Sequence, residues 1–176
     1  MRTNIVLTLT GADRIGLVED VTKQLFDLDA NVETSRMARL GGEFAMLMLV
    51  SMPTDKQSNL DAVVAALTAR GLKVSSSRTD PSGAHSYAGW LPYRIEVLGA
   101  DDEGIIHTIA SQLSRRGINI ESMETGTSPA PTTGTPLFSM SALVVVPPDV
   151  AAQTWKSALE TTGDTLNVDV RVTRAA

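Results

Sequence analysis

Asn4 to Thr10 alternates Ile5, Leu7 and Leu9 with Asn4, Val6 and Thr8. A two-residue period with both faces largely apolar or β-branched predicts an inner strand. Gly11 to Gly16 reads as a turn. From Leu17 the spacing changes, and apolar residues at 17, 18, 21, 25 and 28 form a helical stripe that stops near Asp29 to Asn31. Val32 to Leu40 and Glu43 to Met52 are predicted strands joined by a hairpin turn at Gly41-Gly42. The run Phe44 to Val50 is nearly all apolar and is expected to lie centrally, and Pro53 ends it. Ser58 or Asn59 is placed to cap a second helix, with Leu60, Val63, Val64 and Leu67 as its stripe and Gly71 at its C-terminal cap. Leu72 to Arg78 completes the order β-α-β-β-α-β. Such a unit closes as four antiparallel strands with both helices on one face, a ferredoxin-like α+β fold.

The pattern then breaks at Thr79 to Gly89, where Asp80-Pro81-Ser82-Gly83 marks a linker, and afterwards it repeats. Tyr93 to Leu98, Ile118 to Gly126, Leu137 to Val146 and Asn167 to Thr173 read as strands. Gly104 to Arg116 reads as a helix, and Pro148 as the opening residue of another with Trp155 and Leu159 inward. Gly11, Ala12, Asp13, Gly16, Leu25, Asn31 and Glu33 recur 88 residues later as Gly99, Ala100, Asp101, Gly104, Leu113, Asn119 and Glu121. An offset held this long predicts two copies of one folding unit. The expected division is 1–79 for the first domain, 80–91 for the linker and 92–176 for the second domain. From Phe44/Phe138 onwards the offset is 94, so the second copy carries six extra residues at Ser128 to Pro136. This proline-stiffened segment is too long for a two-residue hairpin. It reads either as a tolerated surface insertion or as a flap or partner-docking loop.

Composition narrows the function. Apolar residues make up 43% of the 176 but aromatics only 4%, so the cores are expected to be aliphatic, with Met37, Met46, Met48 and Met52 as filling. The net charge is −5, and the 15 basic residues form no patch or stripe. Direct binding to nucleic acid is therefore not expected. Cysteine is absent, which excludes disulfides and thiolate metal sites. No apolar run approaches the ~20 residues of a membrane span. Nor does the N-terminus carry the continuous apolar core of a signal peptide, so a cytoplasmic protein is expected.

Catalytic chemistry is hard to find. His85 lies in the linker, and His107 is expected to be a solvated helix residue. No phosphate loop, nucleophile elbow or dinucleotide fingerprint is present. Asp101-Asp102-Glu103 occupies a turn whose counterpart is Asp13-Arg14-Ile15, and reads as solvated acids rather than an acid-base pair. No enzyme, cofactor or metal is expected. What the chain does repeat is a strand, the turn Gly-Ala-Asp-x-x-Gly, and a helix. Asp13 and Asp101 are placed to cap the first turn of that helix. The remaining outward N–H groups carry partial positive charge and suit a carboxylate. Asn31 and Asn119 follow the helix. Either their amides serve the two ends of an amino acid, or they are ordinary helix-terminal residues at positive φ.

The β-α-β-β-α-β order, the Asp-x-x-Gly-[Leu/Ile] turn and the Asn-[Val/Ile] after the helix resemble the ACT domain, a small module that typically binds amino acids between two copies. Two copies, together with Thr127 to Phe138, resemble the glycine cleavage system transcriptional repressor group over nearly the whole chain. The resemblance implies a non-enzymatic protein that senses a small amino acid, glycine by expectation, and acts on a LysR-type transcription activator protein rather than on DNA. It also implies ligand contacts from the first turn and the following Asn. The candidate ligand-binding set is Asp13, Arg14, Ile15, Gly16, Leu17 and Asn31 in the first copy. In the second it is Asp101, Asp102, Gly104, Ile105 and Asn119. Arg14 suits the first turn to an α-carboxylate, whereas three acids in the second would repel one. A homodimer or an intramolecular pair of ACT units is expected, since each sheet has edges to protect. The alternative is an ACT-fold adaptor that binds no ligand.

Overall fold

The computed structural model describes residues 1–80, 87–131 and 133–175. His85, residues 81–86 of the expected linker and Thr132 of the inserted loop lie outside the described residues. The chain divides into two compact units, Met1–Ala84 and His85–Ala176.

The first unit runs β1 (Arg2–Ala12), α1 (Leu17–Phe26), β2 (Asn31–Leu40), β3 (Glu43–Pro53), α2 (Leu60–Ala69) and β4 (Lys73–Arg78). Its four strands pair antiparallel in the order β2-β3-β1-β4. The sequence places β1 and β3 inside the sheet, and both are there. Ile5, Leu7 and Leu9 of β1 and Phe44, Met46, Met48 and Val50 of β3 form one buried cluster with Leu17, Val21 and Leu25 of α1 and Leu60, Val63 and Leu67 of α2. Both helices therefore cover the same sheet face. Burying each of these side chains contributes about 1.5–3 kcal/mol.

The second unit repeats this plan with β5 (Leu91–Ala100), α3 (Ile105–Ser114), β6 (Asn119–Pro129), β7 (Pro136–Val146), α4 (Ala152–Leu166) and β8 (Val168–Arg174), in the order β6-β7-β5-β8. Its core is less purely aliphatic than expected, because Trp155 lies edge-on to Tyr93 at 5.2 Å between ring centroids.

Four local expectations are corrected. Met37 is 53% exposed and is not core, whereas Met46, Met48 and Met52 are buried. The physical reason is position: β2 is an edge strand, and only Val32 from it packs on the cluster. Helix α4 starts at Ala152 instead of Pro148, because Val150 N–H donates to Pro147 O at 3.1 Å and the two prolines are spent in that turn. A 3₁₀ turn at Thr54–Asn59 precedes α2, and Asn59 makes no side-chain cap there. After α1 and α3 the positive φ is taken by Asp29 (53°) and Gly117 (67°), which frees Asn31 and Asn119 to begin strands.

The two β-hairpins differ as their lengths require. The first closes on Gly41-Gly42, both at positive φ. The second pairs Pro129 with Pro136, and Ala130 N–H donates to Thr135 O at 2.8 Å across the six-residue loop between them.

Gly163 lies inside α4, where replacement by Ala ordinarily gains about 1 kcal/mol. Here the added Cβ would stand 2.7 Å from the Val168 carbonyl oxygen and 2.6 Å from Val170 Cγ2. Overpacking of this kind costs about 1–3 kcal/mol, so Gly163→Ala is expected to lower stability in denaturant titration. An unchanged or raised midpoint would show that the helix and strand part at no cost.

Candidate functional site

The repeated turn is built the same way in both units. Asp13 N–H donates to Gly42 O at 3.0 Å, and Asp101 N–H donates to Pro136 O at 3.1 Å, which pins each turn to the tip of the neighbouring hairpin. Gly16 (φ 84°) and Gly104 (φ 88°) then reverse the chain through the left-handed region into the helix. A side chain would be strained at this φ, and no heavy atom lies within 4 Å of where a Cβ would stand. The helix start is therefore open.

The expected capping role of Asp13 and Asp101 is not found. Neither helix has a side-chain cap; the residue at the cap position is the glycine itself. Asp13 sits at the end of β1, and its carboxylate meets Arg39 Nε at 2.7 Å. The first-turn amides are left without a side-chain acceptor, so the partial charge of the helix end faces the depression beside it.

In the first unit that depression is about 480 Å³ and is lined by Asp13, Arg14, Gly16, Leu17, Val18, Glu19, Thr22 and Phe44. Arg14 does not point freely into it: its guanidinium pairs with Asp20, which also meets Arg70 Nη1 at 3.1 Å. The hydrogen bond from Arg14 is the main reason that the Asp20 carboxyl is held below the usual carboxylate range, with Arg70 adding to it. Ile15 is fully exposed, whereas Leu17 is buried and anchors the helix.

The second depression is about 430 Å³ and is lined by Asp101, Asp102, Gly104, Ile105, Ile106, His107 and Phe138. Its charges differ. The positions of Arg14, Asp20 and Arg39 hold Asp102, Thr108 and Thr127. Asp102 accepts a hydrogen bond from the Glu103 N–H at 2.8 Å, and no cation pairs with these acids among the described residues. The lining residues Phe44 and Phe138 were not among the sequence candidates. Their correspondence across the repeat was the available signal.

Asn31 is not part of the first depression. It pairs with Ser51 on β3, whereas the Asp13 turn is tied to the hairpin beside Glu43. Eight residues of strand separate those two points, roughly 26 Å at the usual rise. Its side chain is also engaged, since Asn31 Nδ2 donates to Glu33 Oε1 at 2.9 Å. Glu33 is the residue of a β-bulge between Val32 and Thr34, and it also accepts from Ser51 Oγ. Arg2 donates to Ser51 Oγ at 3.3 Å and to Ser51 O at 2.6 Å. The second unit keeps Asn119 and Glu121 and the bulge, but has Trp90 and Val145 at the positions of Arg2 and Ser51. Asn119 makes no side-chain hydrogen bond among the described residues.

A family model described as ACT domain matches residues 3–75. The strand order, the glycine-entered helix and the bulge that follows it recur in the second unit. The chain carries an ACT domain in its first unit, and the second unit repeats that fold. It resembles the glycine cleavage system transcriptional repressor of Escherichia coli (strain K12), to which it is 28% identical over 134 residues. That alignment covers 72% of this chain and 66% of the repressor, so the chain spans just under two thirds of its relative's length. The structure of an unknown protein from Galdieria sulphuraria is 34% identical, covers 100% of both chains and superposes with a TM-score of 0.87. A putative glycine cleavage system transcriptional repressor, 20% identical and covering 98% and 97% of the two chains, superposes with a TM-score of 0.68 and shows the same fold. Among the described residues, no helix is long and apolar enough to cross a membrane. No group of three metal-ligating side chains is found there either.

Asp20, Asp29 and Glu33 are all held below the usual carboxylate range. Arg14 is the leading cause for Asp20, Lys56 for Asp29, and the Ser51 hydroxyl followed by the Asn31 amide for Glu33. A carboxyl whose folded pKa is depressed stabilises the fold above its unfolded pKa, and that stability is lost as pH falls through the folded value. The melting temperature is therefore expected to fall as pH drops below about 4.5. Ser51→Ala should make that fall shallower, because Glu33 loses its leading partner. An identical acid profile for the variant, measured by calorimetry, would count against Ser51 as the cause.

Proposed function

We propose that this tandem ACT-domain protein is a non-enzymatic regulator that senses a small amino acid, with glycine the first candidate. In this reading it controls transcription through contact with a transcription activator protein rather than with DNA. The observation that carries the reading is the duplicated, uncapped helix start opening onto a depression large enough for an amino acid. Uncapped N–H groups at such an end suit an α-carboxylate. The name of the Escherichia coli relative supports regulation, and its activity is carried over here only as part of this proposal.

The proposed contacts are Asp13, Arg14, Ile15, Gly16 and Leu17 in the first turn and Asp101, Asp102, Gly104 and Ile105 in the second, with Asn31 and Asn119 as partners from elsewhere. One amino acid does not reach from a turn to the Asn of the same unit across roughly 26 Å. A ligand that uses both needs the turn of one ACT unit and the Asn of another. The first turn balances Arg14, Arg39 and Arg70 against Asp13, Glu19 and Asp20, whereas Asp101, Asp102 and Glu103 are unbalanced. The first turn is the better carboxylate site on that ground.

A second reading, an adaptor without a ligand, is favoured by how fully Asp13, Arg14 and Asn31 are already engaged inside the first unit. Thermal-shift screening separates the two. A ligand at a hundred times its Kd stabilises the protein by about 2.7 kcal/mol, so glycine or another amino acid should raise the melting temperature in a saturable way. No rise with any of the twenty favours the adaptor. Calorimetry should then find Asn119→Ala weaker for that ligand than Asn31→Ala, because the Asn31 amide is committed to Glu33. Equal losses would remove the proposed asymmetry.

A further inference from the structure

A third depression, of about 440 Å³, opens in the first unit between β4 and the 3₁₀ turn that leads into α2. It shares no lining residue with the depression at the Asp13 turn. Ile5 and Arg78 pair at the other end of β1 from that turn. Ile5 and Leu60 supply the apolar lining, and they are core residues only 2% and 6% exposed. The polar lining includes Ser58, Asp61, Ser76 and Arg78. Arg78 Nη2 donates to Gln57 Oε1 at 2.6 Å, which tethers the guanidinium at the depression. A guanidinium has further N–H donors beyond the one this bond uses, and Arg78 pairs with no carboxylate among the described residues. Asp61 likewise pairs with no cation, and Ser58 and Ser76 make no side-chain hydrogen bond, among the described residues.

The fold does not require this polarity, as the second unit shows. Ile5 pairs with Arg78 and Leu7 with Ser76 on β4; their counterparts Tyr93 and Ile95 pair with Arg174 and Val172 on β8. Leu7 is buried under the helices, so Ser76 stands on the helix side of the sheet. The second unit has Val172 there, packed on its core. It also has Tyr93 where the first has Ile5, with Trp155 edge-on to the ring at 5.2 Å. One unit fills this place with aromatic rings and a valine. The other keeps it hollow and lines it with hydroxyls and one charge of each sign.

We infer that this depression is a binding site for an α-amino acid with an aliphatic side chain. Arg78 takes the α-carboxylate, for which a guanidinium fork is suited. Asp61 takes the α-ammonium, Ser58 and Ser76 supply further hydrogen bonds, and the side chain lies on Ile5 and Leu60. A simple anion would meet Asp61 and a simple cation would meet Arg78, whereas a zwitterion satisfies both. The volume lies in the range of small-molecule sites, and an apolar surface with a few polar groups is their usual make-up. One unit completes this site, and it does not depend on what the Asp13 turn binds.

L-Leucine is the probe, with isocaproate (leucine without its amine) and isoamylamine (leucine without its carboxylate) as controls. Calorimetry of the full chain should show saturable binding of leucine, with each control weaker by about tenfold or more. Arg78→Gln and Asp61→Asn should each weaken leucine by about tenfold. Ser76→Val, which installs the residue of the second unit, should weaken it too. Asn119→Ala should leave leucine binding unchanged, which separates this site from the one that uses a turn. Circular dichroism of each variant keeps a folding failure from being read as lost binding. Absence of saturable binding by leucine overturns the inference and leaves the turn site, tested with glycine, untouched. Isocaproate binding as tightly as leucine overturns it as well. So does leucine binding that survives both Arg78→Gln and Asp61→Asn, or that is lost in Asn119→Ala.

Discussion

Each unit depends on one packing arrangement: alternate residues of its two inner strands laid against the apolar stripes of two helices on a single sheet face. Leu7, Leu9, Met46 and Met48 meet Leu17, Val21, Leu25, Val63 and Leu67, and their counterparts do the same in the second unit. Everything outside that contact is left to other devices. The helices reach the inner strands fully but take only Val32 from β2, so the outer strand keeps exposed side chains such as Met37 and an open backbone edge. The turns escape burial for the same reason. They lie at the end of the inner strand where the chain must leave the sheet and climb to the helix layer.

Duplication makes the chain its own control. Backbone features that serve the fold are kept twice: the left-handed glycine before the helix, the anchor of the turn to the hairpin tip, and the bulge at Glu33 and Glu121. Side-chain features around them are not. Arg14, Asp20 and Arg39 are joined in ion pairs around the first turn, whereas the second holds acids and threonines. Ile15, Phe26, Met37, Leu40 and Leu47 are exposed apolar residues in the first unit, and their counterparts are Glu103, Ser114, Thr125, Ser128 and Ser141. The two units thus share a scaffold but differ in surface charge and apolarity.

Much of this was legible in the sequence because the controlling signals are local. Periods of two and of about four residues give the strands and helices, and the fixed offset gives the duplication. What was not legible depended on partners that residue periodicity does not reveal, some distant in the chain and some close by. Met37 looks like core by composition, and only the strand order reveals that no helix covers it. Asp13 looks like a helix cap by spacing, but a glycine at positive φ stands between them, and Arg39 from the next strand claims the carboxylate. Asn31 looks like a free amide, but the bulge folds Glu33 back onto it. Pro148 looks like a helix opener, but its neighbour Pro147 has already begun a turn. For Met37 and Asp13 the overruling factor is tertiary structure, and for Asn31 and Pro148 it is a near neighbour in the chain.

The turn and the asparagine of one unit lie at opposite ends of the sheet. A binding site that needs both halves is not completed by one ACT unit. If the second half comes from another chain, ligand binding and association become a single linked equilibrium, each strengthening the other by the same factor. The apparent affinity for the ligand would then rise with the amount of the protein. Such a sensor would report the abundance of its amino acid relative to its own, and a cell could retune it by changing expression alone.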